Sequence, residues 1–223
     1  MKLPSSLGLA LFFACLACSA AELELKGSQL VVSGMLDGTA IKTFTEYLDK
    51  GTVRTVVFED SFGGTAEAAG AFADAIRSSN VETEVRGQCM AACAYAFLAG
   101  RTHRFGDGFQ VNGVLLPVAA RPSASELAMR WRGGEVHKTL AEFSPSSTTP
   151  AVTSPGAAGT AELGTGPVKD NWQPDHGVLF TASPTLFGRI YNAFYCDGTQ
   201  GRDFTKCERL SDADPFKLGV LTP

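Results

Sequence analysis

Histidine is scarce: three residues in 223, His103, His137 and His176, are scattered along the chain, and none lies near the Cys89-x-x-x-Cys93 pair as an obvious third ligand. That spacing offers no ready imidazole site. Basic residues are not in surplus either. Nineteen Lys and Arg face 23 Asp and Glu for a net charge of −4, and no basic patch stands out. Nucleic acid is therefore excluded as the natural partner class. Apolar runs long enough to span a bilayer are missing, because the one candidate, Leu7 to Leu16, falls well short of about 20 residues. Asp212 and Asp214 form an Asp-x-Asp pair without further ligands, which reads as a solvated turn rather than a calcium site.

What is present begins with that short run. Met1 and Lys2 give a positive end, Leu9, Leu11, Phe12 and Phe13 an apolar stretch, and Ser19-Ala20-Ala21 a small-x-small pattern before Glu22. Residues 1–21 read as a cleaved signal peptide, with export to a periplasm or beyond. The rival is a lipoprotein signal anchored at Cys18, although Cys15 stands where such a box prefers leucine. Cleavage after Ala21 leaves 202 residues, a net charge of −5 and no integral membrane span. That length supports one domain with a sizeable core.

The chain is organised around Val56 to Gln110. Val53 to Phe58 is apolar and β-branched, predicting a buried strand. It runs into Ser61-Phe62-Gly63-Gly64, just ahead of a helix. Glycines there can turn backbone N–H groups into a cavity beside a helix N-terminus, a geometry that suits an oxyanion hole. Thr65 is placed to cap that helix, Glu67 sits in its first turn, and Ala69, Phe72, Ala73 and Ile76 share one face. The alternation of Val81, Thr83 and Val85 with Glu82, Glu84 and Arg86 predicts a half-buried strand. An uncharged, buried helix is expected from Ala91 to Ala99 with Gly100 beyond it.

On either side the pattern continues. Glu22 to Leu36 reads as a hairpin turning at Gly27-Ser28, and Thr39 to Leu48 as a helix with Ile41, Phe44 and Leu48 on one face. Strands are expected at Arg101–Phe105, Phe109–Leu115 and Val178–Phe180, a two-piece helix over Ser123–Phe143 broken at Gly133-Gly134, and a short helix over Pro184–Phe194. Residues 144–170, rich in Ser, Thr, Pro, Gly and Ala, read as a flexible insertion. The expected layout is signal peptide 1–21, α/β core 22–143, insertion 144–170, and the rest of the same domain over 171–223. Repeating strand and helix units argue for an α/β fold.

Within Val56 to Gln110 the order strand, Ser-x-Gly-Gly, helix, strand, Cys-x-x-Ala-Cys helix, Phe-Leu-Ala-Gly and Gly-Phe-x resembles the periplasmic serine-hydrolase-like proteins of the Clp protease proteolytic-subunit and crotonase superfamily. The resemblance implies a spiral of strand–helix repeats. In that family the motif is Cys-x-Ser-Ala-Cys with the serine as nucleophile, and a histidine after a Gly-Phe pair is the base. Carried onto this chain, the nucleophile position is Ala91 and the base position Gln110. Alanine has no oxygen to attack with and glutamine takes up no proton near neutral pH. The resemblance thus implies an inactive protein that retains an oxyanion-hole-like Gly63-Gly64 pocket and binds a peptide, acyl or protein ligand, without cofactor. It also admits a homo-oligomer.

Two other chemistries remain open. Ser61, just before the paired glycines, is the fallback nucleophile of a relocated serine hydrolase, with His103 or His176 as its base. The mature chain keeps Cys89, Cys93, Cys196 and Cys207, an even number that suggests two disulfides in an exported protein, with 89–93 and 196–207 the local choice among three connectivities. The Cys-x-x-x-Cys pair also permits a thiol redox or soft-metal carrier.

Overall fold

The structure is a computed structural model that describes residues 20–118, 120–131, 176–197 and 206–223. The signal segment up to residue 19 with Cys18, His137, the second helical piece beyond Gly133-Gly134 and the insertion 144–170 lie outside the described residues.

The chain opens as a hairpin, β1 (Glu22–Lys26) and β2 (Gln29–Ser33), antiparallel about the expected Gly27-Ser28 turn. Helix α1 (Ile41–Asp49) crosses to β3 (Thr55–Phe62), and α2 (Ala66–Ser79) crosses to β4 (Glu82–Met90). A short α3 (Ala92–Phe97) leads to β5 (His103–Phe105) and β6 (Asn112–Val118). After α4 (Ala124–Arg130) the described chain resumes in a long hairpin, β7 (His176–Thr185) and β8 (Gly188–Asp197), and ends with β9 (Glu208–Arg209). The sheet order is β1-β2-β3-β4-β6-β7-β8-β9, with β5 beside β4 off that path. The ladders from β2 through β3 and β4 to β5 and β6 are parallel and the outer ones antiparallel. This is the expected α/β fold of strand–helix repeats.

Local sequence explains most of these elements. Thr65 Oγ1 accepts from Ala68 N–H at 3.0 Å to start α2, and Asn80, left-handed at φ 52°, ends it. Its Phe72 packs on Phe44 of α1 with ring centroids 4.6 Å apart. These side chains and all of α3 bury against Val32, Val56, Phe58, Val85 and Val114 on one sheet face. The other face carries a smaller cluster of Leu115, Leu179 and Cys196. Among the described residues no helix is long and apolar enough to cross a membrane.

Two expectations are corrected. Pro184–Phe194 is not helical: Leu186 and Phe187 make a turn, and β8 pairs along its length with β7. Ile190, Tyr191, Phe194 and Tyr195 are strand formers, and the neighbouring β7 edge gives their backbone a ladder that a short helix could not match. The half-buried reading of β4 also fails at Glu84, whose side chain is only 5% exposed. Arg86 Nε lies 2.8 Å from one carboxylate oxygen, and Arg104 Nε and Nη2 lie 2.9 and 2.8 Å from the other. Two guanidinium groups make that burial tolerable.

β4 also runs further than its alternation suggests, because it changes partner. Thr83–Val85 pair with β5 and Gln88–Met90 with β6. At the split, fully buried Asn112 accepts from Gly87 N–H at 2.8 Å and donates to Gly106 C=O at 3.0 Å. Asn112→Ala orphans both groups, and the expected loss in chemical denaturation is about 2–3 kcal/mol; a loss below half of that would show the split closes without the amide.

Candidate functional site

The parallel strands β3 and β4 end side by side, with Phe62 opposite Met90 in register. In an open α/β sheet this carboxyl end is where ligands bind. Beyond Phe62 the backbone turns through Gly63 (φ 97°) and Gly64 (φ 140°). A Cβ on Gly64 would sit 2.1 Å from the Leu36 carbonyl oxygen. Leu36 N–H donates to Gly63 C=O at 3.1 Å and Thr65 N–H to Leu36 C=O at 3.0 Å. The glycine pair thus fastens the head of α2 to the chain leaving β2, a structural role for Gly63 and Gly64.

Beyond Met90 stands Ala91, the residue before α3, with φ 52° and ψ −106°. A non-glycine residue held there costs about 1–3 kcal/mol, and such residues cluster at functional sites. Ala91 is 4% exposed, its N–H donates to Leu115 C=O at 3.0 Å, and its C=O accepts from Tyr95 N–H at 3.0 Å. The Cys89–Cys93 disulfide, with sulfurs 2.04 Å apart, straddles it. A second bond joins Cys196 and Cys207 at 2.10 Å. Both pairs are the local ones expected. Sulfurs so bonded have no thiolate to give a soft metal.

The residues proposed as bases are not brought to this turn. Gln110 is exposed and lies two residues before β6, whereas the β6 residue beside Ala91 is Leu115. Gln110 thus lies five residues before Leu115, in the bend that leads into β6. His103 pairs with Thr83, eight residues before Ala91 on β4 and roughly 26 Å away along the strand. His176 lies one strand further out, opposite Val118 and three residues beyond Leu115 along the ladder, with Nδ1 3.1 Å from Tyr195 Oη.

Ser61 fares no better as a nucleophile. It is fully buried and its Oγ donates to Gly34 C=O at 2.7 Å. Its partner in β4 is Cys89, six residues from Thr83, so His103 stands roughly 20 Å off along the strand. His103 is instead a fastener for the chain end. Its backbone N–H donates to Thr222 Oγ1 at 2.8 Å, its C=O accepts from Thr222 N–H at 2.9 Å, and its Nδ1 lies 3.0 Å from Val220 C=O. Burial pushes its pKa below the ordinary 6.5, partly offset by the Val220 hydrogen bond. Asp214 Oδ1 accepts from Phe216 N–H at 2.8 Å, which makes the Asp212–Asp214 stretch the turn expected.

Sequence reading missed Leu115 and the strain at Ala91. An apolar strand following Gly113 was the only trace of the first, and the second had no trace, since alanine does not advertise a positive φ.

No family model and no curated protein matches the chain. Solved structures it resembles include ThnE from S. clavuligerus, 11% identical with a TM-score of 0.29, covering 43% of this chain and 51% of that one. An enoyl-CoA hydratase from Shewanella pealeana is 8% identical with a TM-score of 0.30, covering 57% of each chain. An enoyl-CoA hydratase/carnithine racemase from Magnetospirillum magneticum is 14% identical with a TM-score of 0.31, covering 54% of this chain and 58% of that one. The chain thus spans between half and three-fifths of the length of these structures. At such scores the superposition is loose, and the fold is defined by this chain's own ladder order and crossovers.

Two outcomes follow from the site. Ser61→Ala is expected to destabilise by about 1–2 kcal/mol in urea melts, through the orphaned Gly34 carbonyl. A neutral or stabilising change would contradict the bracing role. With a folded-state pKa below the unfolded value, His103 binds fewer protons folded than unfolded. Stability is therefore full above about pH 6.5 and declines as pH falls below it. His103→Asn should flatten that decline in thermal melts; an unchanged slope would assign it to other groups.

Proposed function

We propose that this chain is an exported protein of the Clp-protease and crotonase type that has given up turnover and acts as a binding module. The observation carrying this is Ala91: a strained, buried strand-to-helix turn of the kind that presents a nucleophile, bearing only a methyl group and backed by Leu115. A hydrolase needs an oxygen or sulfur there and a base within hydrogen-bond reach. Ser61 supplies neither, since its hydroxyl is sealed in the sheet.

Export is supported by the two disulfides together with the apolar N-terminal segment. The ligand class is a peptide or acyl chain. Phe62, 54% exposed, stands in register with Met90 at the crest and offers an apolar rim beside the glycine turn.

A fluorophosphonate probe tests the loss of turnover. Folded, processed protein is expected to remain unlabelled by mass spectrometry at every serine, including Ser61. Labelling that depends on the fold would overturn the inactive reading and identify the nucleophile directly.

A further inference from the structure

We propose that the outer edge of β8 is a self-association surface, along which a second copy of this chain pairs antiparallel over residues 188–192. The surface is separate from the Ala91 turn, so its failure would leave the binding reading standing, and the reverse also holds.

Among the described residues, the β1 edge and the length of β8 that β9 leaves unpaired are built differently. β1 reads Glu-Leu-Glu-Leu-Lys, and charges of this kind blunt an edge against further pairing. β8 has no such guard. β9 covers it only at Phe194 and Tyr195, with one further bond from Leu210 N–H to Ala193 C=O. From Gly188 to Asn192 the ladder to β7 continues, but no described residue pairs with the outer side. The Arg189 side chain, the one charge in this stretch, turns away and binds Gly106 C=O and Asp107.

The bond at Ala193 fixes which groups face outward. Residues two apart along a strand present their N–H and C=O to the same edge. Tyr191 and Arg189 therefore point theirs outward with Ala193, while Ile190 and Asn192 turn inward to β7. The antiparallel register centred on Ile190 pairs Arg189 and Tyr191 with each other and leaves the Ala193 bond to Leu210 in place. It sets Arg189 of each copy opposite Tyr191 of the other, with the two Ile190 residues facing each other at the twofold axis. Such a contact is self-complementary, as a closed dimer requires.

That register also buries what the monomer leaves bare. Leu186 is 90% exposed, Phe187 96% and Ile190 51%. The hairpin tip of one copy falls at the β9 end of the other, where a cleft of about 570 Å³ opens between Tyr191–Ala193 and Leu210–Lys217. Phe216, 38% exposed, stands on its wall and packs edge-on against Tyr191 at 5.3 Å. Arg209 and Lys217 on the lining balance Asp212 and Asp214, so an uncharged tip meets no net field. Taking a large apolar side chain at about 200 Å², these four expose roughly 550 Å² per copy. That is over half of the roughly 800 Å² a stable interface takes from each partner.

The test is sedimentation equilibrium of the processed full chain from about 1 μM to about 1 mM. A monomer–dimer equilibrium is expected, with Phe187→Asp and Ile190→Lys each weakening association at least about tenfold while circular dichroism stays native. Ile190→Cys should oxidise to a covalent dimer, because the two residues meet across the axis, whereas Leu25→Cys on β1 should not. A wild type that stays monomeric at the highest concentration, assembles as a trimer, or gives no Ile190→Cys crosslink would overturn the proposal. A folded Phe187→Asp variant with undiminished association would do so as well.

Discussion

β4 has β3 on one side along its length, but on the other its partner changes, from β5 at Thr83–Val85 to β6 at Gln88–Met90. A strand that swaps partners leaves backbone groups unpaired at the join, in the interior, where each would carry a full desolvation cost. The Asn112 side chain closes that gap with one donor and one acceptor. The rest of the arrangement depends on that closure. It lets β5 peel off and tie the chain end through His103, while β6 continues into the antiparallel half and stands its Leu115 carbonyl against Ala91.

The same strand carries the main electrostatic commitment of the fold. Glu84 is buried between Arg86 and Arg104. Such a triad contributes little net stability beyond what an apolar replacement would, yet removing one member leaves a stranded charge. It holds β5 in register with β4, since Arg104 comes from one strand and Glu84 from the other. Polar bracing at Asn112 and ionic bracing at Glu84 thus divide the work along β4, one at the split and one below it.

Much of the fold was legible in the sequence, because its parallel strands are apolar runs and its long helix has both caps and a face. Thr65, Asn80 and the row Ala69, Phe72, Ala73 and Ile76 state α2 unambiguously. The hairpin β7–β8 was hidden because Pro184 and the apolar residues after it fit a short helix as well as a strand, and only the neighbouring edge decides between them. At the site, Ala91 was found through its place between two cysteines, but its strain was invisible. Gln110 lies in the bend before β6, a stretch with no periodicity to fix its register from sequence.

The two disulfides differ in span, separations of 4 and 11 residues, and on chain entropy are worth about 2 and about 3 kcal/mol. Together that approaches the entire margin by which a modest domain stays folded. Where glutathione keeps thiols reduced, the chain gives up that contribution and also the clamp across Ala91, whose backbone strain then has one restraint fewer. A reduced chain is thereby left more pliable at the Ala91 turn and where β9 meets β8. Oxidation of the two pairs supplies the latch, so the bonds decide when the fold becomes permanent as well as how firmly it holds.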